Sequence, residues 1–264
     1  RLGDQMNQTI YTFISDGGIQ EEVSQGAGRI AGHLGLDNLI RFYDSNGIQL
    51  STKTNEVTEE DVAAKYKAWG WKVITIDGNN ATEIRAALSE AKLEKEKPTL
   101  IIGNTIMGKG ALKEDGSSFE NQCATHGMPL GESGANFEKS IENLGGNSKN
   151  PFVIFNEAKE LFEKRRKELK EIVSKKYAEH AEWEKSNPEC AAKMKKWFSK
   201  EVPAINWESI QQKSNAATRA ASATVLGELA KNVENMIVTS ADLSNSDKTD
   251  GFLKNTTIFK KNDF

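Results

Sequence analysis

The stretches IYTFISDGG (residues 10–18) and LIRFYDSNGI (residues 39–48) decide the fold of this chain. In each, a run rich in apolar residues stops at polar residues and glycine, which is typical of a buried strand that ends in a turn. The two ends lie about thirty positions apart, enough for one strand, a crossover helix and a second, parallel strand. Small side chains over residues 24–31 fit a helix that packs closely on a sheet, although its glycines weaken it in isolation.

Oxygen-bearing groups follow both predicted strands. Asp16 and Asn46 stand at the strand ends, and Ile48 lies two positions beyond Asn46. The carboxyl ends of parallel strands are where such sheets bind ligands. A carboxylate, an amide oxygen and a backbone carbonyl are hard donors, which suit Mg²⁺ or Ca²⁺ rather than zinc. We therefore predict a metal site at Asp16, Asn46 and the Ile48 carbonyl; the plainer alternative is that Asp16 caps a helix and Asn46 starts a turn.

The start of the crossover helix also suits an anion. Gly17 and Gly18 let backbone N–H groups approach a ligand closely. Glu21 and Glu22 fall near the first turn of the expected helix, where carboxylates complement the helix macrodipole. A diphosphate held through a divalent cation would suit this arrangement.

Strand and helix patterns alternate through residues 1–150. Strands are expected at residues 73–76 and 99–102, and helices at residues 58–69, with Thr58 as N-cap, and at residues 80–93. Alternation of this kind predicts the fold class, an α/β parallel sheet with flanking helices. Residues 103–131 lack periodicity and are expected to form a long loop, and loops of this length are usually either functional or disordered.

The second half of the chain has a different pattern. Residues 151–197 have a helical and highly charged pattern, which predicts a solvated helical arm, with a binding surface as the alternative. Pro203 marks the linker that ends this region. After Pro203, a helix is expected at residues 215–232 and a strand at residues 236–239, the beginning of a second α/β domain. The predicted organisation is therefore a domain over residues 1–150, an arm over residues 151–203 and the start of another domain over residues 204–264.

Composition excludes several classes of protein. The net charge of the 264 residues is −3, and Lys and Arg are spread among acids, so no nucleic-acid partner is expected. No run of 18 apolar residues and no secretory signal occurs, so neither a membrane nor secretion is expected and the chain reads as cytoplasmic. Cys123 and Cys190 form neither a disulfide framework nor a zinc spacing, which favours a reducing compartment.

These motifs and the order in which they follow one another along the chain resemble those of the transketolase family. Ser15-Asp16-Gly17 with Asn46-Gly47-Ile48 is similar to the thiamine diphosphate fingerprint, Gly-Asp-Gly followed after a long interval by Asn. The wider resemblance covers nearly the whole chain and rests on residues 11–13, 36–40, 66–73, 76–79, 98–102, 105–110, 126–131 and 240–243. It departs at Ser15, which stands where the family has Gly, at Glu22, which also replaces a Gly, and at Asn245, which replaces a Pro.

The resemblance implies an activity and its requirements. The family transfers a two-carbon ketol unit from a ketose phosphate to an aldose phosphate in the pentose phosphate pathway. Its cofactor is thiamine diphosphate with Mg²⁺ or Ca²⁺, and the cofactor supplies an electron sink. Because that cofactor lies between the first domain of one subunit and the second domain of its partner, a homodimer is implied.

The resemblance also assigns residues. Contacts with the cofactor are implied for Ser15, Asp16, Gly17, Glu21, Asn46, His126 and Asp242. His126 would also be catalytic and, with Arg219 and Ser246, would bind the sugar phosphate. Each has a plainer alternative: His126 and Arg219 as surface residues, and Asp242 as an Asx turn.

The family match implies that this chain is a central piece of a longer polypeptide. Substrate-funnel histidines would precede Arg1, and the catalytic Glu and a C-terminal domain would follow Phe264, so activity of the chain alone is not expected. Partners would be the missing segments or a complementary subunit. The alternatives are another thiamine diphosphate enzyme, such as a deoxyxylulose-phosphate synthase or phosphoketolase, or a non-catalytic cofactor-binding split subunit or proteolytic remnant.

Overall fold

The computed structural model describes residues 7–126, 129–261 and 263. They fall into two compact units, described separately below. The sheet unit contains the described residues up to Leu169, together with 260, 261 and 263, and the helical unit is Lys170–Phe259.

A parallel sheet forms the centre of the sheet unit. Its strands in the described residues are β1 (Ile10–Ser15), β2 (Leu39–Ser45), β3 (Lys72–Asp77) and β4 (Thr99–Asn104). Their order is β1-β2-β4-β3, and every neighbouring pair is parallel. Ser15 pairs in register with Asp44, so β1 and β2 end side by side. The predicted parallel α/β sheet is confirmed.

Helices flank this sheet on both faces. They are α1 (Asp16–Gln20), α2 (Glu22–Leu34), α3 (Val62–Ala68) and α4 (Ala81–Leu93). Strand alternation places Leu100 and Ile102 on one face and Ile101 on the other. Leu100 and Ile102 share a buried cluster with Ile19, Ala31 and Tyr66, whereas Ile101 packs with Ala87 and Ala91 of α4. The core therefore lies in two layers, one on each side of β2 and β4.

The crossover segment after β1 is divided, whereas a single helix was expected. Glu21 separates α1 from α2 because its backbone is extended, with ψ of 132°. Its N–H donates to the Gly18 carbonyl at 3.3 Å and closes α1, while its own carbonyl accepts from Gln25 at 3.0 Å within α2. Helical periodicity could not show the break, because α1 has only five residues and the break is a single extended residue.

The prediction that Thr58 begins a helix is wrong. α3 begins at Val62, and its N-cap is Asp61, whose Oδ1 accepts the Ala64 N–H at 2.9 Å. The Thr58 hydroxyl instead accepts the Glu60 N–H at 3.2 Å within the preceding loop. Thr and Asp are both favourable N-cap residues. Asp61 is the N-cap here because its carboxylate accepts the N–H of Ala64, the third residue of α3.

Replacing Asp61 with alanine should lower the free energy of unfolding by about 1 kcal/mol, the usual cost of losing an N-cap. Thr58→Ala removes only a hydrogen bond in an exposed loop, so it should change stability by less than about 0.5 kcal/mol. Urea unfolding followed by circular dichroism would measure both. Equal losses, or a larger loss for Thr58→Ala, would contradict the observed start of α3.

The described residues between 105 and 155 pack beside the sheet and contain no strand of regular length. This stretch contains a 3₁₀ turn (Cys123–Thr125), α5 (Leu130–Ser133) and α6 (Phe137–Asn143). Leu112 and Ser118 form an isolated bridge, and Ala111, Phe119 and Ala135 share a small buried cluster. The expected loop over residues 103–131 is mostly confirmed, although its first two residues belong to β4 and its end enters α5.

The helical unit contains the end of α7 (Asn156–Ser186), α8 (Pro188–Phe198), α9 (Thr218–Asn232), α10 (Ser244–Asp247) and α11 (Asp250–Leu253), with a 3₁₀ turn at Trp207–Ser209. Pro188 starts α8, where its missing N–H is not needed. α9 packs against α11. In the described ranges, no helix is long and apolar enough to cross a membrane.

Two expectations for residues 204–264 are corrected by the structure. The helix begins at Thr218, not at residue 215, because Asn215 adopts a left-handed φ of 56°. The strand predicted at residues 236–239 is wrong, since that segment is not in a ladder. A strand needs a neighbour for its backbone hydrogen bonds, and the described part of this unit contains no strand that could pair with it.

Candidate cation and diphosphate site

A buried carboxylate joins the ends of β1 and β2. Asp16 follows β1 directly and is only 2% exposed. Its Oδ1 accepts the Tyr43 hydroxyl at 2.6 Å, and its Oδ2 accepts the backbone N–H groups of Asn46 and Gly47, both at 3.1 Å. The Tyr43 distance is at the short end of the range for hydrogen bonds between two oxygens. Asp16 is thereby fixed against the turn that leaves β2.

That turn holds the other two predicted ligands. The Asn46 side-chain oxygen accepts the Ile48 N–H at 2.9 Å, which makes an Asx turn. Gly47 has a φ of 73°, which few other residues adopt, and its carbonyl accepts the Thr54 N–H at 2.9 Å. Ile48 is buried and forms an antiparallel bridge with Lys53. The structure therefore brings together Asp16, Asn46 and Ile48, as the strand ends predicted.

Ser15, rather than Asp16, is the residue that caps α1. The Ser15 hydroxyl accepts the Gly18 N–H at 3.4 Å. Gly17 is exposed, and a Cβ added there would meet nothing within 4 Å. The Asp16 carboxylate is thus left for the turn after β2, and the backbone at Gly17 is open to a ligand.

A cleft of about 710 Å³ opens beside these groups. This volume is typical of sites for small molecules. Its lining includes Asp16, Tyr43, Asn46, Gly47 and Ile48 on one side. Residues 53–55 and 58–63 supply another part of the lining. Within that part, Glu60 pairs with Lys65 and Asp61 caps α3, so two of the three acids there already have structural partners.

Tyr43 is a member of the site that sequence reasoning missed. It is 4% exposed, and burial, followed by its hydrogen bond to Asp16, holds the pKa of the phenol well above its ordinary value. Its hydroxyl carries its proton at neutral pH, as an ordinary phenol also does, and donates it to Asp16. Strand alternation could have placed Tyr43 and Asp44 on opposite faces of β2, but no local pattern shows which face meets Asp16.

The residues present fit a hard divalent cation. Each carboxylate oxygen has two lone pairs, so the three hydrogen bonds to Asp16 leave acceptor capacity, and the amide oxygen of Asn46 has one lone pair beyond its bond to Ile48. Among the residues described, no group of three or more His, Cys, Asp and Glu side chains is placed to hold a metal. A site with one carboxylate, one amide and one carbonyl does not need such a group.

His126 lies outside the lining of the cleft in the described part of the chain. It follows the turn Cys123–Thr125, and its N–H donates to the Cys123 carbonyl at 3.0 Å. Its Nδ1 is buried and has no hydrogen-bond partner among described residues. Gly127 and Met128 of its motif lie outside those residues. Glu21, at the junction of α1 and α2, is exposed and also absent from the described lining.

The remaining predicted site residues belong to the helical unit. The Arg219 guanidinium donates through Nη1 to the Ser246 carbonyl at 3.3 Å, and both residues are exposed. Asp242 is exposed, with a left-handed φ of 61°. Two residues before Asp242, the Ser240 hydroxyl donates to Asp247 at 2.9 Å. The structure thus brings Arg219 and Ser246 together through the backbone of Ser246, and their predicted role in binding a sugar phosphate stays a prediction.

Comparison with known proteins decides the family. A family model described as transketolase, thiamine diphosphate binding domain, matches residues 3–203. The chain belongs to the transketolase family. It is 36% identical over 243 residues to a transketolase of Streptococcus pyogenes, covering 90% of this chain and 32% of that protein. It is 35% identical over 249 residues to a dihydroxyacetone synthase of Pichia angusta, covering 91% and 34% respectively.

Solved structures agree with the sequence comparisons. A transketolase of Pichia stipitis in complex with sedoheptulose-7-phosphate matches with a TM-score of 0.78 and 30% identity, over 90% of this chain and 35% of that one. The chain therefore spans about a third of the length of these transketolase relatives. The predicted family, the parallel α/β fold and a domain of the thiamine diphosphate binding type are confirmed.

Proposed function

We propose that this chain carries the diphosphate-binding part of a transketolase, the enzyme that moves a two-carbon ketol unit from a ketose phosphate to an aldose phosphate. The observation that carries the proposal is the Asp16 carboxylate bound to the Asn46-Gly47 turn at the edge of the cleft. It coincides with a match to the family's thiamine diphosphate binding domain. The site and the family therefore point to the same ligand.

In this proposal, Asp16, Asn46 and the Ile48 carbonyl hold Mg²⁺ or Ca²⁺, and the cation binds the cofactor diphosphate. When bound, thiamine diphosphate supplies the electron sink for the reaction. The chain's own residues orient it: Ser15 and Gly17 present the start of α1 to the diphosphate, and the buried turn after β2 fixes the cation ligands. Glu21, His126 and Asp242 are proposed as further cofactor contacts.

The proposed substrates are sugar phosphates. Arg219, Ser246 and His126 are the residues assigned to them, with His126 also exchanging protons during catalysis. An exposed guanidinium suits this role because its planar fork can bind two phosphate oxygens. The sugar phosphate in the complex of the Pichia stipitis enzyme supports the substrate class.

The oligomeric state and the domain bounds are also proposed from the resemblance to the transketolase family. We propose a homodimer for the whole protein, and domains over residues 1–150 and 204–264 joined by an arm over residues 151–203. This chain alone is not expected to complete the reaction, because its residues are assigned to binding and to one proton exchange. A cytoplasmic location is proposed from the sequence, because its two cysteines do not form a disulfide framework.

Calorimetric titration of thiamine diphosphate into the 264-residue chain tests the proposal. With Mg²⁺ present, binding is expected, and removing the cation with EDTA should weaken it at least about tenfold, or about 1.4 kcal/mol. Thiamine, which lacks the diphosphate, is the matched control ligand and should not bind in a Mg²⁺-dependent way. Absence of binding by a folded chain, or affinity that does not depend on Mg²⁺, would contradict the proposal.

A further inference from the structure

We propose that Tyr43 is a positioning residue for the cation, because its hydroxyl selects and orients the Asp16 oxygen that coordinates it. The inference rests on the proposed function, since it takes Asp16 as a cation ligand. Its basis is the 2.6 Å hydrogen bond from the Tyr43 hydroxyl to Asp16 Oδ1.

The two oxygens of Asp16 are not equivalent. Oδ2 accepts two backbone N–H groups, those of Asn46 and Gly47, which use both of its lone pairs. Oδ1 accepts only the Tyr43 hydroxyl and keeps one lone pair. The cation therefore binds through Oδ1, the oxygen that Tyr43 holds, while Oδ2 is anchored to the turn.

Tyr43 is well placed to act as a fixed support. It is 4% exposed and packs in the buried cluster with Leu100, Ile102 and Trp71. Its backbone pairs with Ile14 in the sheet, two residues before Asp16. The hydroxyl is therefore held by the core rather than by the loop, so it limits rotation of the carboxylate about its terminal bond.

Partners of this kind affect metal binding without touching the metal. A donor that orients a ligating carboxylate changes cation affinity by roughly 10–100-fold when it is removed. Tyr43→Phe removes only the hydroxyl and keeps the ring in the core. It should therefore weaken cation binding by this factor while the chain stays folded.

Tyr66→Phe is the matched control. Tyr66 lies in the same buried cluster and is fully buried, but its hydroxyl accepts from Arg41 Nη1 at 3.0 Å and does not contact Asp16. The change is chemically identical to Tyr43→Phe. A general weakening of the core would therefore appear in both variants, whereas loss of the Asp16 support would appear only in Tyr43→Phe.

The experiment is a titration of Mg²⁺ into each variant at a fixed, saturating concentration of thiamine diphosphate, followed by calorimetry. We expect roughly 10–100-fold weaker Mg²⁺ binding for Tyr43→Phe and less than about threefold for Tyr66→Phe. In an Asp16→Asn background, Tyr43→Phe should have no further effect on Mg²⁺ affinity, because the oriented ligand is already lost.

The outcomes separate this inference from the proposed function. If Asp16→Asn weakens Mg²⁺ binding and Tyr43→Phe does not, Asp16 is a ligand and the positioning role of Tyr43 is overturned. The same holds if both Tyr variants lose affinity equally. If the wild-type chain binds no Mg²⁺, or Asp16→Asn binds it unchanged, the assignment of Asp16 fails and the inference fails with it.

Discussion

Replacing Asp16 with alanine is expected to abolish Mg²⁺-dependent binding of thiamine diphosphate and to lower the free energy of unfolding by about 2–4 kcal/mol. The binding loss follows because the variant lacks the one carboxylate among the proposed ligands. The stability loss follows because three donors lose their acceptor: the hydroxyl of buried Tyr43 and the N–H groups of Asn46 and Gly47. Calorimetry and urea unfolding measure the two effects separately.

The chain contains a matched control for this substitution. Asp77 likewise lies at the carboxyl end of a parallel strand and precedes a glycine, but it is exposed, and its Oδ1 accepts the Asn79 N–H at 2.8 Å. Asp77→Ala should leave cofactor binding unchanged and reduce stability by less than about 1 kcal/mol. Similar effects of the two substitutions on binding would contradict the special role of Asp16.

A volume-conserving variant separates the two consequences of losing Asp16. Asp16→Asn keeps an oxygen that can accept one of the hydrogen bonds, so stability should fall less than in Asp16→Ala. The negative charge is gone in both, but Asp16→Asn keeps a side-chain oxygen, so it should bind Mg²⁺ far more weakly than the wild-type chain while Asp16→Ala should not bind it. Wild-type Mg²⁺ affinity in a folded Asp16→Asn chain would show that the carboxylate is not the cation ligand.

The sheet could be predicted from local pattern because its strands are short, apolar and bounded by polar residues. The expected strand at residues 73–76 is found as Lys72–Asp77, and that at residues 99–102 as Thr99–Asn104. The order of the strands could not be obtained in this way. β4 lies between β2 and β3, and this insertion depends on contacts between distant segments that no window of sequence contains.

The wrong predictions have a common physical origin. Residues 236–239 have the composition of a strand, but a strand exists only with a paired neighbour. Thr58 and Asp61 are both plausible caps, and only the geometry of the first turn distinguishes them. The break at Glu21 is likewise a single extended residue inside a helical pattern. In each case the deciding hydrogen bonds, whether local or between strands, are not contained in the apolar periodicity or the residue types.

Part of the candidate site could be predicted from the sequence, and the rest depends on contacts between distant segments. Asp16 and Asn46 could be placed together because parallel strands end at the same edge of a sheet. Tyr43 could not, because its contact with Asp16 depends on the paired register of Ile14 and Tyr43 and on side-chain direction. The roles of Arg219, Ser246 and His126 stay predictions, resting on the family resemblance rather than on local pattern.

Replacing Gly32 with alanine should lower the free energy of unfolding by more than about 3 kcal/mol, at the upper end for overpacking. A Cβ at Gly32 would lie 1.9 Å from the Trp69 carbonyl oxygen and 2.8 Å from its carbon. Backbone on both sides must therefore move, which separates α2 from the segment that leads into β3. The hydrogen bond from the Trp71 indole to the Gly28 carbonyl, 2.7 Å long, would be strained by the same movement.

Gly26 supplies the control, because it lies in the same helix and a Cβ there would meet nothing within 4 Å. Gly26→Ala should stabilise the chain by up to about 1 kcal/mol, since alanine has the higher helix propensity. The two substitutions are chemically identical, so urea unfolding should show opposite signs. Equal and small effects would contradict the close approach of α2 to Trp69. Opposite signs would show that Gly32 is required by contact between elements, whereas Gly26 is dispensable to the packing of α2.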